Sequence, residues 1–289
     1  MMEYALEIKG LRKEYKGFTL KDVSFALPRG TIMGLVGPNG AGKTTVIKLI
    51  LNLIRRQAGG ITVFGEDVIA REKVIKSRIG FVLETPSFVE DAKLRDIAAA
   101  VAPLYERWDG TLFRSLISEF GLPLDKKFKK LSHGMKMKFS LALALAHEAD
   151  LLVLDEPTSG LDPVFRRELL ERLSGLIQDE GKAVLFSTHI TSDLETTADY
   201  ITFLHAGEVV FSLPKDEIHE TWAVVKAGPE LLNGKLRPLF RAIRETPHYI
   251  EALTSDIRTL KAALPAGAVI EKASIEDIMV FMDEGAAHV

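Results

Sequence analysis

The stretch Gly37-Pro38-Asn39-Gly40-Ala41-Gly42-Lys43-Thr44-Thr45 has the spacing of a loop that wraps phosphate: glycines, then a lysine, then hydroxyls. Glycines let backbone N–H groups turn inward around anionic oxygens without Cβ clashes. Lys43 adds a mobile cation for the outer phosphates, and Thr44 offers a hydroxyl to magnesium. Further along, Leu151-Leu-Val-Leu-Asp155-Glu156 is an apolar run that ends in two carboxylates. A parallel strand delivers its C-terminal residues to a ligand crevice. Asp155 is therefore expected to bind magnesium, directly or through water, and Glu156 to orient and deprotonate an attacking water. Taken singly, the first stretch is a glycine-rich turn, and the carboxylates merely open the turn that starts at Pro157. Taken together they predict ATP and Mg2+ as ligands.

The elements that must position these residues are legible around them. Thr31–Gly37 is a short apolar run ending in glycine, the pattern of a strand buried on both faces. Lys43–Ile54 follows with an apolar stripe at helical spacing. Leu151–Asp155 and Ala183–Ser187 are further buried-strand runs, and the helix-like Pro163–Gln178 between them completes a βαβ unit. Near the N-terminus Val23, Phe25 and Leu27 alternate with Ser24 and Ala26, as in a half-buried strand. Residues 200–204 and 208–212 flank His205-Ala206-Gly207 and read as a hairpin. The predicted fold is α/β: a phosphate-loop NTPase core with a parallel sheet, an N-terminal antiparallel β subdomain, and an inserted helical subdomain at about 86–147. A small C-terminal α/β appendage over 226–289, punctuated by Gly228-Pro229 and Asn233-Gly234, would follow a main domain of 1–225.

Composition narrows the class of function. The chain has 289 residues, a formal net charge of −3 and no cysteine. Disulfides and thiolate metal sites are excluded, and the acidic balance argues against a nucleic-acid partner, which would call for a basic face. The longest wholly apolar helix candidate lies at Ser140–Ala146, far short of the roughly 20 residues a membrane helix needs. Any role at a membrane then requires a partner.

Around these residues the chain resembles the ATP-binding cassette (ABC) ATPases over residues 3–225. Leu131-Ser132-His133-Gly134-Met135 is similar to the family's signature loop, in which Ser132 and the backbone near Gly134 would contact the γ-phosphate across a dimer interface. Without the family, the same residues are an N-cap serine opening a helix. Ser159-Gly-Leu-Asp162 resembles the loop that couples the two sites of the dimer, and His189 the switch histidine that senses the γ-phosphate. Tyr15 resembles the aromatic that stacks on adenine. The resemblance thus implies ATP hydrolysis with Lys43, Glu156 and His189 as catalytic residues, and magnesium held by Thr44, Asp155 and Glu84.

Two departures stand out. Glu84 occupies the place of the family's usual glutamine, and His133 and Met135 replace glycine and glutamine in the signature. With FSTHITSDLE after the switch strand, they resemble the YtrB-like branch of bacterial ABC ATPases. That resemblance implies a homodimer (or pseudo-symmetric dimer) sandwiching two ATP molecules, and a separate integral-membrane permease, with export as the expected direction. It also implies a cytoplasmic location on the inner face of the membrane. Phe88, Tyr105, Trp108 and Phe113 in the helical insertion are candidate permease contacts or simple helical core.

Other uses of the same machinery were weighed. A chromosome-type cassette would carry a long coiled coil between the phosphate loop and the signature, whereas 86 residues without heptads separate Thr44 from Leu131. A translation-type relative would carry two cassettes on one chain. A nucleotide-binding regulator with little turnover would suit Glu84 and His133, but Lys43 and Glu156 together imply hydrolysis. The appendage is expected to make dimer contact, in preference to contacting a regulator or capping the sheet.

Overall fold

The computed structural model describes residues 3–228, 236–246, 248–265 and 267–285. It separates into two compact units, Met1–Ser212 and Leu213–Val289. The sequence reading sets the boundary later, after 225. The difference arises because strand Ala223–Ala227 has the same apolar look as the preceding strands, yet pairs only with strands of the second unit.

In chain order the first unit begins with β1 (Tyr4–Tyr15), β2 (Phe18–Pro28), β3 (Ile32–Val36) and α1 (Lys43–Ile50). There follow β4 (Ala58–Val63), β5 (Glu66–Asp67), α2 (Glu72–Arg78) and β6 (Ile79–Val82). The insertion supplies α3 (Leu94–Val101), α4 (Gly110–Glu119) and α5 (His133–Leu145). The unit closes with β7 (Leu151–Asp155), α6 (Pro163–Leu176), β8 (Ala183–Thr188), α7 (Thr191–Thr197), β9 (Tyr200–His205) and β10 (Glu208–Pro214). The first sheet is antiparallel in the order β2-β1-β4-β5. The second runs β10-β9-β3-β8-β7-β6, with β9 to β6 parallel.

The parallel strands β3, β7 and β8 are buried at every residue. Each fully buried Val, Leu or Ile contributes about 1.5–3 kcal/mol, so these short runs hold the centre of the unit. The hairpin expected at His205-Ala206-Gly207 forms, with φ +47° and +80° at Ala206 and Gly207. Two consecutive left-handed residues match the right-handed strand twist. Helix α1 ends at Ile50, four residues before the sequence reading ends it. Asn52 turns left-handed (φ +51°), and Leu53 N–H reaches back to Lys48 C=O at 2.9 Å, a C-terminal motif that stops the helix.

Helix α5 is buried from Phe139 through Leu145 and is the core of the insertion. Among the described residues no helix is long and apolar enough to cross a membrane. The second unit comprises α8 (Lys215–Thr221), β11 (Ala223–Ala227), β12 (Ala242–Glu245), β13 (Ile250–Thr254), α9 (Ile257–Leu260), β14 (Val269–Lys272) and α10 (Ile275–Gly285). Its antiparallel sheet has the order β12-β13-β11-β14, and α10 buries Ile278 and Phe281. Helix α9 is one short turn capped by Asp256 and is followed by a 3-10 turn at Lys261–Ala263, after which Pro265 ends the helical run. Residues 229–235, which contain Pro229 and the Asn233-Gly234 pair, lie outside the described residues.

Candidate functional site

The phosphate loop leaves β3 at Gly37 and enters α1 at Lys43. Gly37 has no room for a side chain: a Cβ there would lie 2.0 Å from the Leu204 carbonyl oxygen on the neighbouring strand. The loop opens on a cleft of about 630 Å³ lined by Pro38, Asn39, Gly40, Gly42, Lys43, Thr44 and Thr45. Glu84, Glu156 and His189 line the same cleft from the ends of three other segments. Gly37 and Ala41 form the loop's buried side.

Lys43 is 7 % exposed, and its ammonium donates to Gly37 C=O at 2.8 Å. It also stands 3.7 Å from Glu156 Oε1. The other Glu156 oxygen, Oε2, lies 2.8 Å from His189 Nδ1. Cation, carboxylate and imidazole thus form one contiguous set on the cleft wall. Glu156 is itself 5 % exposed and left-handed, with φ +50°. A non-glycine residue in that region costs on the order of 1–3 kcal/mol and persists only where the surroundings impose it.

Asp155 lies beneath this set, 1 % exposed. Its Oδ1 accepts from the Ser187 hydroxyl at 2.6 Å, while Oδ2 is buried without a hydrogen-bond partner among the described residues. A buried carboxylate oxygen left unpaired costs several kcal/mol unless a donor or a cation satisfies it. That orphan, with the Thr44 hydroxyl and the Glu84 carboxylate on the cleft wall, fits a hard, oxygen-seeking cation. Among the described residues no cluster of three or more His, Cys, Asp or Glu is able to hold a metal by itself.

The structure does not bring every expected residue to this cleft. Tyr15 is 43 % exposed at the end of β1, with the Lys13 ammonium 5.3 Å from its ring centre. Gly17 and Phe18 line the cleft in its place. Ser132 and Gly134 stand apart from the cleft at the exposed start of α5, where Ser132 Oγ caps Met135 N–H at 3.3 Å. The replaced signature residue His133 rests against the loop after Glu156, since a Cβ on Gly160 would meet its ring at 2.9 Å. Asp162 caps α6 through Phe165 N–H at 3.0 Å, and that bond holds its carboxyl below the usual aspartate range.

Two groups were missed in the sequence. Ser187 bonds both carboxylate residues, accepting from Glu156 N–H at 2.9 Å; the only cue was a hydroxyl ending an apolar strand. Asp193, 1 % exposed on α7, accepts from Thr158 Oγ1 and from Arg166 Nε, both at 2.7 Å. It ties the loop after Glu156 to the helix after His189.

In the insertion Phe88 packs edge-on against Phe128 and Phe139, and Trp108 packs at a tilt against Phe113. Phe113 is buried, so it serves the core. Phe88 and Tyr105 instead also line an apolar groove of about 520 Å³ with Leu53, Phe81, Leu83 and Leu104. Behind it the His147 ring stacks on Tyr105 at 3.8 Å, with Nδ1 3.2 Å from Leu143 C=O and Nε2 3.2 Å from Ile79 C=O. Burial pushes the His147 pKa down. Asp150, just before β7, accepts from Arg78 and Arg107 at 2.6 and 2.8 Å. Burial alone would raise its carboxyl, but the two guanidinium groups outweigh burial and hold it low.

Residues 20–159 match the family profile described as "ABC transporter". A second profile, described as "AAA domain, putative AbiEii toxin, Type IV TA system", matches 127–192. The bacitracin transport ATP-binding protein BcrA of Enterococcus faecalis is 33 % identical over 76 % of this chain and 72 % of its own length. The ABC transporter ATP-binding protein YtrB of Bacillus subtilis is 30 % identical over 76 % of each. The Nod factor export ATP-binding protein I of Rhizobium johnstonii is 31 % identical over 91 % of this chain and 88 % of its own. A solved structure described as the ATP binding subunit of an ABC transporter superposes with a TM-score of 0.69 and 31 % identity, over 75 % of this chain and 92 % of that one.

Proposed function

The chain belongs to the ABC transporter ATP-binding family, and on that premise we propose that it is the ATP-hydrolysing subunit of an exporter whose permease is a separate chain. The contact set Lys43–Glu156–His189 in the phosphate-loop cleft carries this reading. Lys43, whose ammonium here donates to Gly37 C=O, would counter charge on the outer phosphates. Glu156 would accept a proton from the attacking water, and His189, bonded to its second oxygen, would fix the carboxylate's direction. Magnesium, held through Thr44, Asp155 and Glu84, would supply charge neutralisation between the phosphates.

Ser132 and the first amides of α5 form an anion-seeking helix start with no phosphate loop of their own chain to face. A second copy would bring that start over the ATP bound by Lys43. Two chains would then enclose two nucleotides, closing on ATP and reopening after hydrolysis, a population shift set by differential binding. The apolar groove at Phe81, Phe88 and Tyr105 adjoins the Glu84 segment. It is the surface we assign to the permease, which would place the subunit on the inner face of the membrane. The name of the rhizobial relative, an export ATP-binding protein, supports the direction of transport.

The test is reconstitution. Purified chain should hydrolyse ATP in a magnesium-dependent manner, and hydrolysis should rise with a power of protein concentration above one as dimers form. A chain that hydrolyses ATP as a monomer at its full rate would refute the shared site.

A further inference from the structure

Ser187 is wholly buried on β8 and lies opposite Asp155 in the parallel register of β7 and β8. Its hydroxyl hydrogen-bonds both neighbouring members of the carboxylate pair, through Asp155 Oδ1 at 2.6 Å and Glu156 N–H at 2.9 Å. The roles of this hydroxyl cannot be exchanged. An amide N–H only donates, so Oγ must accept from Glu156, and its single proton is left for Asp155.

Two consequences follow from that one rotor. With Oδ1 engaged, Oδ2 is the Asp155 oxygen left without a hydrogen-bond partner among the described residues. With its amide anchored, Glu156 is held at φ +50°, a conformation it would leave if released. We propose that Ser187 is a positioning residue that presents Asp155 Oδ2 to magnesium and keeps the Glu156 carboxylate between Lys43 and His189. The proposal rests on the ATPase reading and specifies how the metal shell and the base are set by a single hydroxyl. A purely packing role for Ser187 would be met equally by alanine and would leave metal affinity unchanged.

The experiment compares the full-length parent with Ser187→Ala and Ser187→Cys. Affinity for a fluorescent ATP analogue is first measured in EDTA. Binding of Mn2+ to the analogue-loaded protein is then followed by electron paramagnetic resonance, and turnover is measured against metal concentration. The hydrogen-bond partners of metal-ligating carboxylates typically contribute 10–100-fold to metal affinity or activity. Ser187→Ala should therefore weaken Mn2+ binding about tenfold, with EDTA affinity within about twofold of the parent and Ser187→Cys in between. Parent-like Mn2+ affinity in the alanine chain would overturn the proposal. So would an equal loss of nucleotide binding with and without metal in both variants, since that marks a packing role. If alanine prevents folding, the cysteine variant, nearly the same volume with a weaker donor, decides by the same criterion. A parent that binds Mn2+ and nucleotide but never hydrolyses ATP would instead refute the ATPase reading and leave the Mn2+ comparison standing.

Discussion

The phosphate-loop end and the signature end of the first unit are built in opposite ways. At the first, Lys43, Asp155 and Glu156 are buried and joined through Ser187 and His189. At the second, Ser132 and His133 are exposed, and Ser132 does no more within the chain than cap its own helix. One end is organised before any partner arrives; the other has its donors turned to solvent. Under the proposed function this difference divides chemistry from control: the buried end would set the rate, and the exposed end would decide when it is used.

The sharpest way to break this division is at Glu156. Glu156→Gln should bind ATP normally and lose about 10²- to 10⁴-fold in hydrolysis, measured by phosphate release; parent-like turnover would remove Glu156 from its role as base. At the opposite end, Ser132→Arg should leave ATP binding by the monomer within about twofold while abolishing nucleotide-driven dimerisation in light scattering. Unchanged dimerisation would show that the signature end is not a partner surface.

Smaller effects test the joints between the two ends. Asp150→Asn removes the charge shared by Arg78 and Arg107 at the foot of β7. It should cost about 1.5–3 kcal/mol in urea unfolding and leave ATP affinity in place. The Asp150 carboxyl is held below its unfolded value, so the stability it adds is full above that value and is lost as pH falls through the folded one. His147 works in the same direction at a milder pH. Its folded pKa is lowered from 6.5, so the unfolded chain binds the proton first and stability declines as pH drops below 6.5. His147→Gln should flatten that part of a thermal-melt pH profile; a profile unchanged by the substitution would show that another group titrates there.

How far the sequence could be read follows from where each signal lies. The phosphate loop and the two carboxylates were legible because glycine spacing and a run of buried strand residues are local patterns. Helix α1 was read too long because the left-handed turn at Asn52 is a backbone event that an apolar stripe does not report. Tyr15 was named by its resemblance to an adenine-stacking aromatic; it ends β1, and the turn that follows it puts Gly17 and Phe18 on the cleft wall. Ser187 and Asp193 could not be singled out, because their importance lies in partners 27 to 35 positions away. Sheet register sets the contacts of Ser187 and helix packing those of Asp193, and nothing in a neighbouring residue announces either.

The left-handed backbone at Glu156 bears on how this chain can be altered. Glycine or asparagine would sit at φ +50° with less strain than glutamate does. That relief is set against the buried Lys43 ammonium, which would lose its carboxylate, and under the proposed role of Glu156 any variant so relieved would no longer hydrolyse ATP. A screen for stability at this position therefore gains its meaning only beside a measurement of turnover.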